Sequence, residues 1–240
     1  MDEQVVILAG GLATRLYPLT KKMPKSMIPI KGKPFLEHQI KLCKKNGCFR
    51  IVFCGGHLWE MVFDYFGDGK DFGVEIVYSI EKERLDTGGA LKNARPFLDD
   101  EFFVLYGDSY LTINWYSVWK VYEESQFHFR FWTKPIVEGV MSVYRNRQND
   151  RLKSQISLGE DGFVKEFTKT NFKPEMKYVE YGLNILKKKT LDLIPHKTFP
   201  ISLYFDLLIE NQSLIAYKTN RKFYEIGSFE GIKKLTDLLD

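Results

Sequence analysis

Two glycines, a hydroxyl and two cations fall within one stretch near the start of the chain. Residues 10–29 read GGLATRLYPLTKKMPKSMIP. Gly10 and Gly11 let the backbone approach a ligand closely and aim N–H groups at an anion. Leu8 leads into them, and Thr14 adds a hydroxyl donor. Arg15 offers a planar, permanently charged fork that matches phosphate oxygens. Lys25 lies between Pro24 and Ser26–Pro29, and prolines stiffen the backbone that presents its ammonium. The chemistry this suggests is one phosphate-rich ligand held by Arg15 and Lys25. Taken alone, a paired glycine is only a turn with solvated cations beside it. The spacing is neither that of a P-loop nor that of the dinucleotide fingerprint.

A second candidate is Asp108, in Tyr106-Gly107-Asp108-Ser109, directly after the apolar run Phe102–Tyr106. A carboxylate at the carboxyl tip of a buried parallel strand faces the ligand crevice of an open α/β sheet. An aspartate in a strand-end turn is the competing reading. The three cysteines, Cys43, Cys48 and Cys54, lie near His57 without the paired short spacings of a zinc site. Core packing is the expectation for them.

These residues need a scaffold, and the chain supplies strands alternating with helices. Gln4–Ala9, Arg50–Cys54, Val74–Tyr78 and Phe102–Tyr106 read as buried strands. Phe35–Asn46, Leu58–Phe66 and Gly89–Ala94 read as helices, the first two stopped by Gly47 and Gly67. That order predicts βαβ crossovers, hence a doubly wound α/β fold with a mostly parallel sheet and helices on both faces. The second half is less regular. Tyr116–Glu124, Ser202–Ile209 and Phe229–Leu239 read as helices; Val140–Tyr144, Phe163–Phe167 and Val179–Leu186 read as strands. Phe127–Trp132 suits either a strand or a helix extension, and Arg145–Ser154 is the candidate mobile loop.

The whole string G-G-x-x-T-R-L-x-P-L-T-x-x-x-P-K-x-x-x-P resembles the signature of the sugar-1-phosphate nucleotidyltransferases. The family usually has glycine before Thr-Arg; here it is Ala13, a methyl expected to be tolerated if φ is below zero. Tyr78–Ala94 resembles the segment that closes over the nucleotide base, with Thr87, Gly88 and Gly89 matching and Asp86 in place of a glycine. Asp accepts left-handed geometry better than most residues. Without that resemblance, Thr87 would be read as a helix cap. The segments YSIEKE and TGGA are most similar to those of guanylyltransferases acting on heptose 1-phosphate and mannose 1-phosphate.

The resemblance spans essentially the full chain and implies a Rossmann-like, GT-A-like fold in one unit. Residues 1–110 would bind the nucleotide and 111–240 the phosphosugar. It implies that an NTP and a phosphomonoester react to give an NDP-linked product and pyrophosphate, in the making of surface-polysaccharide precursors. It also implies Mg²⁺ on Asp108 and on Glu225, the latter from Glu225-Ile226-Gly227-Ser228, similar to the family's closing Asp-x-Gly-Thr/Ser. Arg15 would stabilise the leaving pyrophosphate and Lys25 the α-phosphate. Lys169 would hold the sugar phosphate; it stands where the family has a Glu-Lys pair, of which Thr168 has replaced the acid. Glu180 and Gly182 match positions that border the sugar, with an outward strand acid as the alternative for Glu180. Glu81 falls where relatives read the base. A carboxylate only accepts hydrogen bonds; guanine offers N1–H and an adjacent amino group, so GTP is favoured and CTP is second.

Composition limits the alternatives. The chain has 240 residues, 44% hydrophobic, enough for one sizeable core and against disorder. No apolar run is long enough to span a membrane. Nor does the acidic start resemble a signal peptide. A net charge of +4 is too weak a bias to suggest nucleic acid. Three cysteines, an odd number, favour a reducing cytoplasm. The expected partners are small-molecule phosphates, with a homodimer possible. Rival readings are a cytidylyltransferase acting on another phosphomonoester and a non-catalytic nucleotide-binding regulator. Loss of Arg15, Lys25 or Asp108 would have marked the regulator, and all three are present.

Overall fold

The computed structural model describes residues 2–11, 13–130, 136–147 and 152–239. The strands are β1 (Val5–Leu8), β2 (Pro29–Ile30), β3 (Lys33–Pro34), β4 (Arg50–Gly55), β5 (Glu75–Ile80), β6 (Glu101–Tyr106), β7 (Ser109–Leu111), β8 (Gly139–Arg145), β9 (Ile156–Leu158), β10 (Val164–Phe167), β11 (Tyr178–Lys187), β12 (Leu214–Thr219) and β13 (Phe223–Glu225). The helices are α1 (Phe35–Lys45), α2 (Trp59–Phe66), α3 (Asp86–Ala94), α4 (Trp115–Arg130), α5 (Ile201–Glu210) and α6 (Phe229–Leu238).

Among the described residues nine strands form one sheet, along the path β10-β9-β11-β6-β1-β4-β5 with β8 and β12 joined through β11. β1, β4, β5, β6, β8, β9 and β12 run one way; β10 and β11 run against them. The doubly wound, mostly parallel expectation holds, with β11 as an antiparallel insertion beside β6.

β1 shows why the sheet is buried on both sides. Its residues alternate with period two: Val5 and Ile7 enter one core with α1, α2 and α4, while Val6 and Leu8 enter another with α3 and α5. All four are 8% exposed or less, and β-branched residues suit such a strand. Burying each such side chain is worth roughly 1.5–3 kcal/mol, which holds the strand's carboxyl end, where the glycine-rich loop begins, in one place.

The second half departs from expectation in identifiable places. The stretch Phe127–Trp132 continues α4 as helix to Arg130, and its last two residues lie outside the described ones. Trp115 and Trp119 anchor that helix on Phe103, with ring centroids 5.5 and 5.4 Å apart. The Arg145–Ser154 stretch falls partly outside the described residues; within them Asn146 Nδ2 donates to Leu152 O at 2.8 Å and to Ser154 Oγ at 2.9 Å. β12 was not anticipated, and it pairs with β8 in parallel over Leu214–Thr219. Among the described residues no helix is long and apolar enough to cross a membrane.

Candidate active site

Strand register brings the chemistry-bearing loops together. Leu8 pairs with Cys54 on one side and Tyr106 on the other. The Gly107 N–H donates to Leu8 O at 2.9 Å. Gly10-Gly11 and Gly107-Asp108 therefore leave the sheet side by side. Gly55 pairs with Ile80, and the Glu81 N–H donates to Gly55 O at 2.9 Å, so Glu81 leaves at the same level. This is the carboxyl edge where open α/β sheets bind ligands.

The glycine-rich loop is built of short turns at Thr14–Leu16, Leu19–Lys21 and Lys25–Met27. Its apolar residues Leu16 and Ile28 pack with Phe35, Ile226 and Leu235 into a small third core. That core fixes the stem from which Arg15 and Lys25 project. Gly11, Thr14 and Arg15 are exposed. Ala13 has φ +48° and ψ +46°, so the condition under which its methyl was expected to be tolerated, φ below zero, is not met. The left-handed turn is held by Leu16 N–H and Thr20 Oγ1, both donating to Ala13 O at 3.0 Å. An alanine there costs roughly 1–2 kcal/mol.

Lys25 Nζ meets Asp108 Oδ2 at 2.7 Å, with side chains 17% and 28% exposed. Asp108 is joined to Glu225 by the small ribbon of β7 and β13, in which Glu225 pairs with Ser109 and the Ile226 N–H donates to Asp108 O at 2.9 Å. A β-carbon built on Gly227 would lie 2.5 Å from Glu225 Oε2, 3.0 Å from Arg15 Nη2 and 3.5 Å from Asp108 Oδ2. Arg15, Lys25, Asp108 and Glu225 thus converge around one small space. Glu225 also folds back onto α6. Its Oε2 accepts the Gly227 N–H, and its Oε1 accepts Ser228 Oγ–H at 2.7 Å. Ser228 in turn caps α6 by accepting the Gly231 N–H at 3.0 Å.

Glu81 is half-buried against Gly10, whose α-carbon leaves no room for a side chain beside Oε1. Its Oε2 accepts the Leu85 N–H at 2.9 Å. Burial pushes its carboxyl up from the usual carboxylate range, and the Leu85 N–H pulls the other way. Thr87 and Gly88 have a different neighbourhood. Thr87 Oγ1 accepts the Ile201 N–H at 3.0 Å, and a β-carbon on Gly88 would lie 2.7 Å from Phe199 O. The Leu85–Gly89 turn is clasped by the segment entering α5, with the Phe199 N–H donating to Leu85 O and the Gly89 N–H to Phe199 O, both at 2.9 Å. Thr87 thus receives the N–H at the start of α5 and does not cap α3. Asp86 has φ +56°, the geometry an aspartate tolerates.

On the other flank, Gly182 has φ +95° at a register slip in β11. It approaches Ser109, the neighbour of Asp108: a β-carbon would lie 3.0 Å from Ser109 Oγ. A glycine is needed at that φ. Glu180 precedes the slip, and its Oε1 accepts Tyr106 Oη–H at 2.6 Å and Asn184 Nδ2–H at 3.1 Å. Burial raises its carboxyl pKa; those two donors and the Lys169 charge oppose the rise. Lys169 Nζ lies 5.8 Å from the Phe167 ring centre.

The sequence reading missed Gln39. It is fully buried in α1 and donates from Nε2 to Tyr106 O and Ser109 O, both at 2.9 Å, spanning the Asp108 turn. The signal was a polar residue on the helix face otherwise made of Phe35, Leu36, Ile40 and Cys43. Tyr106 and Asn184 were also missed as partners of Glu180. Cys43, Cys48 and Cys54 are free and buried, while His57 is exposed; burial raises all three thiol pKa values, as core packing requires.

Fold and site together define an α/β protein that gathers two cations and two carboxylates at the carboxyl edge of its sheet. Residues 4–138 match the family model described as nucleotidyl transferase. That is more than half of the chain, which belongs to this family. It is 43% identical over 111 residues to the D-glycero-alpha-D-manno-heptose 1-phosphate guanylyltransferase of Campylobacter jejuni subsp. jejuni serotype O:2, covering 46% of this chain and 50% of that protein. It is 31% identical over 204 residues to the UTP--glucose-1-phosphate uridylyltransferase of a Synechocystis species, covering 80% and 51%. The chain spans about half the length of the curated relatives it matches. The crystal structure of HddC from Yersinia pseudotuberculosis complexed with GMP-PN superposes with a TM-score of 0.79 at 27% identity, covering 99% of this chain and 100% of that one.

Proposed function

We propose that this protein joins the nucleotidyl group of an NTP to a sugar 1-phosphate, with GTP as the preferred nucleotide, and releases pyrophosphate. The observation that carries the reading is the convergence of Arg15, Lys25, Asp108 and Glu225 around Gly227, beside a half-buried Glu81 against Gly10. The guanylyltransferase relative and the GMP-PN complex of HddC support the choice of base.

A phosphate oxygen of the sugar 1-phosphate forms a new bond to the α-phosphorus while the bond to the bridging oxygen of pyrophosphate breaks in line. That nucleophile is ionised at neutral pH, so no general base is required. Catalysis reduces to positioning and charge stabilisation. Lys25 leaves one carboxylate oxygen of Asp108 to approach the α-phosphate. Arg15 presents its fork to the leaving pyrophosphate. Lys169 meets the incoming phosphate.

The carboxylate pair suits Mg²⁺, which is commonly held by one or two carboxylates plus phosphate oxygens. Among the described residues no cluster of three or more His, Cys, Asp or Glu side chains surrounds the site. Asp108 Oδ1 has only a long contact of 3.4 Å with Ser109 Oγ, and the engaged oxygens of Glu225 keep lone pairs. Asp108 and Glu225 would therefore hold the ion, which neutralises phosphate charge when bound.

The test is pyrophosphate release from each of the four NTPs against a panel of phosphomonoesters. GTP with a sugar 1-phosphate is the expected pair. Preference for UTP or CTP would move the protein to another branch of the family. NTP binding with no turnover of any phosphomonoester would favour a regulator.

A further inference from the structure

The turn that carries Asp108 is held from three sides. The Gly107 N–H donates to Leu8 O of β1, and Asp108 O accepts the Ile226 N–H that follows β13, both at 2.9 Å. The third hold is a side chain. Gln39 Nε2 donates to Tyr106 O and Ser109 O, the carbonyls on either side of Gly107-Asp108, both at 2.9 Å. Only an N–H₂ can face two carbonyl oxygens, so chemistry fixes which end of the amide points there, and both of its donors are used. Gln39 is 0% exposed, on a helix face shared with Leu36, Ile40 and Cys43, and among the described residues its Oε1 has no hydrogen-bond partner. Leaving a buried acceptor unpaired costs stability, so packing alone does not account for a glutamine here. What Gln39 supplies is its grip on the turn.

The same helix holds the other partner of the ion pair. The Phe35 N–H, at the start of α1, donates to Ile28 O at 2.9 Å, and the Ile28 N–H donates to Lys25 O at 3.1 Å. Phe35 and Ile28 also share the small third core. Phe35 and Gln39 lie four residues apart, one turn along one face of the helix. Lys25 and Asp108 are 83 residues apart in the chain, yet both are referenced to that one turn of α1. We infer that Gln39 is a positioning residue that holds Asp108 where it meets Lys25 and Glu225, with α1 as the common frame of the ion pair. The inference rests on the nucleotidyl-transfer reading above. Loss of the grip frees the turn to shift, and a misplacement of about 1 Å costs about a hundredfold in rate. Glu81 stands outside this frame, because its N–H goes to Gly55 O and its carboxylate to the Leu85 N–H.

The experiment uses Gln39→Met, which keeps length and removes both donors, and Gln39→Glu, which keeps shape and, held protonated against two carbonyls, donates once. Both are assayed well below their melting temperatures. In Gln39→Met kcat should fall about ten- to hundredfold, with the GTP KM and the ratio of GTP to UTP turnover close to native; Gln39→Glu should fall in between. Asp108→Asn should cost far less in the Gln39→Met background than in the native one, because a carboxylate already out of place has little left to lose. Hydrogen exchange, which needs no substrate, should quicken at the Gly107 and Ile226 amides and stay native at Ala9, whose N–H donates to Cys54 O away from this turn. A native kcat in Gln39→Met, an undiminished cost of Asp108→Asn, or a shifted base ratio that marks general loosening overturns the inference while leaving the nucleotidyltransferase reading intact. Failure of both variants to fold also overturns it, since Gln39 would then serve the fold alone. If the native protein turns over no NTP, the functional reading falls and the catalytic role of Gln39 with it, while exchange still decides whether Gln39 holds the turn.

Discussion

Replacing Glu81 by glutamine should invert base preference. In the native side chain Oε2 is tied to the Leu85 N–H at 2.9 Å and Oε1 lies over Gly10, at the mouth of the crevice. Glutamine has one acceptor, which the Leu85 N–H will claim. Its N–H₂ then occupies the place of Oε1. Guanine presents N1–H and N2–H₂ to that edge, so a charge-assisted bond is exchanged for opposed donors. The lost bond is worth roughly 1.5–3 kcal/mol, or about ten- to hundredfold in kcat/KM. Uracil and cytosine each carry an acceptor that the new N–H₂ can meet. The assay is kcat/KM for GTP, UTP and CTP in both proteins at fixed acceptor. A ratio unmoved by the substitution, or a native preference for CTP, would refute the role of Glu81.

The same substitution has a pH signature. Burial raises the Glu81 carboxyl above its ordinary range. Base recognition needs the anion, so it is present above that raised pKa and lost as pH falls through it. The acid limb of kcat/KM for GTP should therefore start at higher pH than an ordinary carboxylate gives, and should vanish in Glu81→Gln. Stability runs the other way. The folded state binds the proton more tightly than the unfolded one, so a penalty grows as pH rises from the unfolded to the folded pKa. Glu81→Gln removes that penalty, and its melting temperature at neutral pH should exceed the native value.

Asp108→Asn keeps shape but removes charge at the centre of the site; kcat should fall by about 10² or more, and a near-native rate would remove Asp108 from the mechanism. Arg15→Ala and Lys25→Ala should lower kcat as well as raise KM for the nucleotide, because their charges face groups whose charge shifts in the transition state; a pure KM effect in both would make them ground-state binders. Ala13→Gly relieves the left-handed alanine at φ +48° and should stabilise the fold by about 1 kcal/mol, read as a rise in melting temperature; no change would mean the turn is not strained.

The half of the fold built on local signals was legible. β-branched runs followed by helices with glycine stops forecast β1, β4, β5 and β6 and the helices between them, because burial on both faces leaves a continuous apolar run. β7 and β13 were not legible as strands. They are three residues each, and their pairing of Glu225 with Ser109 spans more than a hundred residues, which no local pattern encodes. Gln39 escaped for a related reason. A buried glutamine looks like an error of amphipathicity until the carbonyls it serves, at Tyr106 and Ser109, are folded beneath it.

The site residues were legible by type but not by partner. Arg15, Lys25 and Asp108 stood out by type, spacing and strand-end position, and the fold brings them together. The Lys25–Asp108 pair at 2.7 Å follows only from the parallel register that sets Leu8 beside Tyr106. Thr87 and Gly88 show the converse. Their resemblance points to the nucleotide, yet the contacts they make are with the segment leading into α5. Gly88 is small because the backbone at Phe199 passes 2.7 Å from where its β-carbon would be. That close passage ties the turn holding Leu85, and through its N–H the carboxylate of Glu81, to a helix of the other half. The Glu81 carboxylate and the α5 segment are thereby mechanically joined, so a motif that resembles a ligand contact is, in this structure, a joint that sets where Glu81 stands.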